Sequence, residues 1–101
     1  MKIAVASQKS EASLVGAQAG RSPYYLIYDE KKDLLESISN PFAVGGGGAG
    51  FGVAKMLADK GVDIIVAGKF GEKMEQAIAG RGTKHLEFDG SVDDALEAVL
   101  G

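Results

Sequence analysis

The sequence predicts an α/β domain with a mixed five-stranded sheet and helices on both faces of that sheet. Three observations predict this class. Short apolar segments alternate with helical patterns in the second half of the chain. Two further strand segments are joined by a polar turn at residues 29–32. Residues 62–67 are continuously apolar, which is typical of a parallel strand covered on both faces.

The first half of the chain predicts three strands, at residues 2–6, 23–29 and 34–39. The last two form an antiparallel hairpin. Asn40-Pro41 ends this hairpin, because proline has no backbone N–H and holds the residue before it extended. Residues 7–22 carry no periodic apolar pattern and are expected to form a long loop, a kind of segment that is often functional.

The second half predicts helices at residues 51–60, 72–79 and 92–100 and strands at 62–67 and 83–88. Gly61 ends the first of these helices, and Ser91 begins the last one as its N-cap. Right-handed crossovers then give the strand order 3-2-1-4-5, with strand 2 antiparallel to the others. The helix residues predicted to face the core are Phe51, Ala54, Leu57 and Ala58, then Met74, Ala77 and Ile78, then Val92, Ala95, Leu96, Val99 and Leu100.

Composition excludes several functional classes. The 101 residues are expected to form one domain, 1–101, and the 11 basic and 14 acidic residues give a net charge of -3, which argues against nucleic acid as a partner. Absence of cysteine excludes disulfides, thiolate metal sites and cysteine nucleophiles. No segment approaches the ~20 apolar residues of a membrane span, and the apolar residues 3–6 are too short for the apolar region of a signal peptide, so we expect none. We therefore expect a cytoplasmic protein with no membrane partner.

A glycine run, Gly45 to Gly50, precedes the first predicted helix. Glycines let a backbone approach an anion closely, and the first N–H groups of a helix have no internal partner, so this arrangement is a known anion site. The run does not match a Walker loop, which requires Gly-Lys-Ser/Thr at its end. It also follows a hairpin strand, unlike the dinucleotide-binding motif. A flexible connector is the alternative interpretation.

Basic residues lie next to the strand ends that are expected to meet at one edge of the predicted sheet. Ligands of open α/β sheets bind at the carboxyl ends of the strands, and the first and fourth strands end near Lys9 and Lys69. Arg21 precedes the strand that runs backward, so it should lie at the same edge. Cations around a glycine loop suit an anionic ligand, although ordinary solvated charges remain an alternative. The candidate binding residues are Ser7, Lys9, Arg21, Gly45, Gly46, Gly47, Gly48, Gly50, Gly68 and Lys69.

We assign no catalytic and no metal-ligating residue. His85 is the single histidine, and its strand position predicts a half-exposed side chain rather than a ligand or base. Neither Ser10 nor Ser13 has a base that the sequence places beside it. A two-metal nuclease needs a carboxylate on the first strand, and residues 2–6 contain none.

Six segments in a fixed order carry a family resemblance, and together they cover nearly the whole chain. The chain resembles the dinitrogenase iron–molybdenum cofactor biosynthesis family, whose members include small NifX-like and NifB-C-terminal-like domains. The segments are Met1 to Ser7, Gly20-Arg21-Ser22-Pro23-Tyr24-Tyr25-Leu26-Ile27, Asn40-Pro41-Phe42, Gly46-Gly47-Gly48-Ala49-Gly50, Leu57-Ala58-Asp59-Lys60-Gly61-Val62-Asp63 and Ala67-Gly68-Lys69-Phe70-Gly71.

The resemblance implies a ribonuclease H-like fold and a non-catalytic role. The implied function is to bind or carry an anionic iron–sulfur or iron–molybdenum cluster, held without cysteine ligands, among metallocluster-assembly proteins. One alternative is an interaction module of the same fold that has lost cluster binding. A phosphotransfer or nuclease-type enzyme is a less favoured alternative, because fold alone does not argue function.

One position departs from the family pattern. Members often carry His-Phe directly before Gly-Arg, and that histidine is a candidate cluster ligand of the family. Here Gln18 and Ala19 occupy these positions. The resemblance then implies that cluster binding rests on backbone N–H groups, Arg21 and lysines.

Overall fold

The computed structural model describes residues 1–44 and 49–101, and it confirms the predicted element order. The observed bounds lie within two residues of the predicted ones. The candidate residues Gly45, Gly46, Gly47 and Gly48 lie outside the described part of the chain. The elements are β1 Lys2–Ser7, β2 Tyr24–Asp29, β3 Leu34–Ser39, α1 Ala49–Asp59, β4 Ile64–Ala67, α2 Glu72–Gly80, β5 Lys84–Glu87 and α3 Val92–Leu100.

The sheet has the predicted strand order and directions. Its order is β3-β2-β1-β4-β5. Strand β2 runs antiparallel to both of its neighbours, whereas β4 pairs parallel with β1 and with β5. The carboxyl ends of β1, β4 and β5 therefore meet at one edge, where β2 begins. This topology is consistent with the ribonuclease H-like fold that the resemblance implies.

Two apolar layers enclose the sheet, because alternate residues of its central strands point to opposite faces. Ala4 and Ala6 of β1 pack with α1 and α2 on one face. Ile3 and Val5 pack with α3 on the other face. Strand β1 is consequently buried on both sides. Within residues 1–44 and 49–101, no helix has the length and apolar character needed to cross a membrane.

The prediction for the inward face of α1 was wrong at Phe51. This side chain is 57% exposed, and the buried residues of α1 are Ala49, Val53, Ala54 and Leu57. The buried stripe through Ala49, Val53 and Leu57 is rotated about the helix axis relative to the predicted one, which leaves Phe51 at the cavity on the carboxyl edge of the sheet. The stripes predicted for α2 and α3 are confirmed by the burial of Met74, Ile78, Val92, Ala95 and Leu96.

The loop before β2 is attached to the carboxyl edge by backbone hydrogen bonds. Gly16 N donates to Ala6 O at 2.9 Å, and Gly68 N donates to Gly16 O at 2.8 Å. Val15 also pairs with Ser7 as an isolated antiparallel bridge. The segment thus closes over the ends of β1 and β4, although it has no apolar period that the sequence could reveal.

The Tyr25 hydroxyl links this loop to the core. It donates a hydrogen bond to Ala19 O from a fully buried position on β2. Burial raises the pKa of the Tyr25 phenol far above its ordinary value, because a buried phenolate would lose its hydration. Tyr25 therefore remains protonated, and a hydrogen-bond donor, as long as the protein is folded.

Replacement of Tyr25 by Phe should make the alkaline loss of stability less steep. Above about pH 10, an unfolded chain releases the Tyr25 proton, whereas the folded chain retains it. The unfolded state then binds fewer protons, so the free energy of unfolding falls as pH rises, by about 1.4 kcal/mol per pH unit for this group. Urea titrations at several alkaline pH values would measure the slope, with Tyr24→Phe as the control on the same strand. Equal slopes in wild type and Tyr25→Phe would contradict the assignment.

Candidate functional site

A cavity of about 650 Å³ opens at the carboxyl edge of the sheet. Three segments line it: residues 18–21 of the loop before β2, residues 49–51 at the start of α1, and residues 69–74, which follow β4 and begin α2. The cavity therefore occupies the place where open α/β sheets commonly bind their ligands. Its volume lies in the range of small-molecule sites, about 300–1,000 Å³.

Glycines allow these three segments to approach one another. A β-carbon added at Gly20 would lie 3.3 Å from Gly50 N, and one added at Gly50 would lie 2.8 Å from the Met74 β-carbon. Side chains at these two positions would separate the loop, α1 and α2. The close contacts bring the beginnings of both helices to the cavity wall.

Backbone contacts hold Lys69 beside the loop. Ala19 N donates to Lys69 O at 2.9 Å. At the preceding residue, Gly68, an added β-carbon would lie 2.7 Å from Ala17 O. Phe70 N donates to the Glu87 Oε2 atom at 3.0 Å, which ties the same turn to the end of β5. The turn that carries Lys69 is thus held on both sides.

Asn40 holds the backbone on either side of Arg21. Its side-chain amide donates to Gly20 O at 3.1 Å and to Ser22 O at 2.9 Å, while its Oδ1 atom accepts from Phe42 N at 2.9 Å. Asn40 is buried, and these contacts satisfy its amide. The Arg21 Nη1 atom donates in turn to Phe42 O at 3.4 Å. The arginine is therefore attached at its backbone and at its guanidinium group.

The start of α2 presents backbone donors to the cavity. Among the described residues, no side chain caps this helix, because its N-cap residue is Gly71. The first bond of the helical series runs from Glu75 N to Gly71 O, so the N–H groups of residues 72–74 have no partner within the helix. Unpaired N–H groups and the positive end of the helix dipole both favour a bound anion.

Charged side chains add to this positive potential. Arg21, Lys69 and Lys73 are exposed and line the cavity, and Glu72 is an acid on the same wall. The cavity therefore has a cationic excess, although the whole chain carries a net charge of -3. Cations beside helix N-termini are a suitable environment for a ligand with several negative charges.

The candidate residues from the sequence divide into three groups. Arg21, Gly50 and Lys69 line the cavity together. Of the described candidates, Ser7, Lys9 and Gly68 do not line it. The Ser7 hydroxyl is buried and bonds Glu11 O and Lys9 N, and Gly68 packs against Ala17, so these two positions shape the edge instead. The remaining glycines, 45–48, lie outside the described residues.

Sequence reasoning missed Lys73 and Met74 and did not assign Gln18 to the site. Gln18 lines the cavity at the position where the family often carries its histidine, so the family pattern was the signal that could have identified it. Lys73 lies in the first turn of a helix that follows Lys69, which is a weaker signal. The sequence could not have assigned Met74 to the site, because its position in the helical pattern is that of a core residue. Met74 is indeed also buried among apolar side chains.

Among the described residues, metal-binding side chains do not gather at this cavity. Within residues 1–44 and 49–101, no group of three His, Cys, Asp or Glu side chains is arranged to hold a metal ion. His85 is half-exposed as predicted, with its Nε2 atom 3.2 Å from Glu75 Oε2 and its ring against Phe70. The donor set of the cavity fits recognition of an anion as a whole, by charge and hydrogen bonds.

The sequence of the chain matches a known protein family along its whole length. The matched family is described as dinitrogenase iron-molybdenum cofactor, and the match covers residues 1–101. The chain belongs to the dinitrogenase iron-molybdenum cofactor family. No curated protein matches the chain.

Solved structures of similar fold agree with this membership. A NifB-like protein from Thermotoga is 29% identical, with a TM-score of 0.81 over 97% of this chain and 85% of its own. The apo form of the orange protein from Desulfovibrio gigas is 27% identical, with a TM-score of 0.84 over 98% of this chain and 86% of its own. A dinitrogenase-like protein from Methanocaldococcus jannaschii shares the fold at 16% identity, with a TM-score of 0.66 over 99% of this chain and 88% of its own.

Replacement of Gly68 by Ala should destabilise the protein by about 1–3 kcal/mol, because the new methyl group overlaps the rigid Ala17 carbonyl. Gly80→Ala, at the last residue of α2, is the control. Apart from its chain neighbours and the backbone of its own helix, no described atom lies within 4 Å of a β-carbon there. Alanine is the better helix former, so this control should not lower the free energy of unfolding. Urea denaturation measures both variants, and equal stability of the two would contradict the close packing of Gly68.

Proposed function

We propose that the chain is a non-catalytic carrier that binds an anionic metal–sulfur cluster in the cavity at the carboxyl edge. The observation that supports this function best is the joint presence of Arg21, Lys69 and Lys73 around the uncapped start of α2. Membership of the dinitrogenase iron-molybdenum cofactor family supports the chemical class of the cargo. The carrier would act in the cytoplasm with metallocluster-assembly proteins.

The energetics favour a ligand that carries several charges. Each charge-assisted hydrogen bond contributes about 1.5–3 kcal/mol, and the ordering of flexible side chains opposes binding. A simple phosphate meets few of these donors at once and should bind weakly. A larger cluster can meet the Arg21 guanidinium, the Lys69 ammonium and the α2 backbone N–H groups together, and it should bind more tightly.

The absence of thiolates suits a carrier better than a permanent cofactor site. The sequence contains no cysteine, so the cargo is held without thiolate ligands from the protein. The Gln18 amide lines the cavity and can donate hydrogen bonds to cluster sulfides. Contacts of this kind form and break without ligand exchange at the metal. A bound cluster could therefore enter and leave intact.

An interaction module without cargo is the second candidate function. Gln18 favours it, because the position where family members often carry histidine has no metal ligand here. Catalysis is a weaker candidate. Strand β1, Lys2–Ser7, carries no carboxylate that could bridge catalytic metals at the centre of the sheet.

The double variant Arg21→Ala/Lys69→Ala should bind tetrathiomolybdate at least about tenfold more weakly than wild type, a loss of about 1.4 kcal/mol or more. Tetrathiomolybdate is a suitable probe because it is a molybdenum–sulfur dianion with strong visible absorption, and its four sulfur atoms are spread more widely than the oxygens of phosphate, so that it can meet Arg21 and Lys69 together. Anaerobic titration measures its affinity. Both side chains are exposed, so thermal denaturation should show nearly unchanged stability.

The matched control is Lys31→Ala/Lys84→Ala, which removes the same charge at the opposite edge of the sheet. Lys31 lies in the β2–β3 turn and Lys84 begins β5. This control should retain nearly the wild-type affinity, because salt screens charges at that distance. Unaltered affinity in the cavity variant, or an equal loss in both variants, would contradict the site. A folded wild-type protein that binds no tetrathiomolybdate would favour the interaction module.

A further inference from the structure

An apolar strip lies beside the mouth of the cavity. We define it as Phe42, Val44 and Phe51, which are 36%, 91% and 57% exposed. The Phe42 ring packs on α1 at Gly52, where an added β-carbon would lie 2.5 Å from the ring. Because Gly52 directly follows Phe51, the Phe42 ring contacts α1 in the turn that carries Phe51. Clustered exposed aromatic side chains are typical of protein interfaces.

Two arginines border the apolar strip on either side. The Arg81 guanidinium carbon lies 5.6 Å from the Phe51 ring centroid, within the range of a cation–π contact. Arg21 reaches the other end of the strip through its bond to Phe42 O. The exposed aromatic surface is therefore framed by positive charge.

The acids near this face do not cancel that charge. The Asp59 carboxylate lies in the field of Arg81 and is paired with Lys55 at 2.8 Å, so Lys55, Asp59 and Arg81 together carry one net positive charge. Glu72 lies on the cavity wall, where Lys69 and Lys73 oppose it. A partner that meets this face would therefore encounter a basic rim, although the chain as a whole is acidic.

We infer that the apolar strip is the docking surface for an acidic protein partner, which presents an apolar side chain framed by carboxylates. Charge complementarity supports this occupant, because the cations frame the aromatic rings at both ends. The negative charge of the remaining chain disfavours a nucleic acid. The inference rests on the proposed carrier function, since it makes this partner the protein that exchanges the cargo.

Docking and cargo binding oppose each other in this arrangement. Phe51 belongs to the strip and also lines the cavity, so partner carboxylates would approach the bound anion. The partner's carboxylates and the bound anion would then compete for the same cations, so docking weakens cargo binding. Thermodynamic linkage requires that the cargo weakens docking by the same factor. Arrival of the partner thereby promotes release of the cluster.

The test uses NMR titration of the cargo-free protein with a short peptide that contains a Leu-Phe pair flanked by glutamates. The comparison peptide has glutamines in their place. The glutamate peptide should bind at least about tenfold more tightly and should shift the amide resonances of residues 42, 51, 52 and 81. Arg81→Glu should abolish this preference, whereas Arg81→Lys should keep it. Lys31→Glu reverses the same charge at the far edge and serves as the control.

Three results would overturn the inference. They are equal affinity for the two peptides, an equal effect of Arg81→Glu and Lys31→Glu, and stronger shifts of the same residues by single-stranded RNA or by phosphatidylserine vesicles. Titration of the same sample with tetrathiomolybdate keeps the two proposals distinguishable. Cargo binding without peptide binding overturns only the docking surface. Peptide binding without cargo binding overturns the carrier function and supports an interaction module.

Discussion

The buried amide of Asn40 is the contact on which the candidate site depends. It is one side chain that bonds the backbone of two separate loops, at Gly20 and Ser22 on one side and at Phe42 on the other. These bonds fix the backbone that carries Arg21 and bring the Phe42 carbonyl within reach of its guanidinium group. The start of β2 and the end of β3 therefore form one rigid corner beside the cavity.

On the other side of the cavity, close backbone packing holds α1, α2 and the Lys69 turn together. Gly50 brings α1 against Met74 of α2, and Gly68 brings the Lys69 turn against Ala17. Both helices thus begin at the cavity wall with their positive ends toward the same space. An acidic chain acquires one basic face in this way, which attracts anions while the rest of the surface repels them. The same face carries exposed aromatic rings, so cargo and partner meet at neighbouring positions.

The sequence predicted the sheet and the edge of the site better than it predicted the cavity walls. Strand periodicity, Asn40-Pro41 and the Ser91 cap are local signals, and the structure confirms them. The predicted burial of Phe51 on α1 was wrong, because the buried face of this helix is set by its close packing against α2 at Gly50 and Met74, which are far apart in the chain. Contacts such as Asn40 with the Gly20 and Ser22 carbonyls join residues far apart in the chain, and no local pattern encodes them. Arg21 and Lys69 were found because strand topology alone places them at one edge.

The central claim is that a molybdenum–sulfur anion binds between the Arg21 loop and the start of α2. A crystal grown with tetrathiomolybdate, with diffraction recorded at the molybdenum absorption edge, tests it most directly. The account predicts an anomalous peak in the cavity lined by residues 18–21, 49–51 and 69–74, with Arg21 and Lys69 in contact with the anion. A peak elsewhere on the protein, or no peak in crystals grown from a saturated complex, would contradict the account.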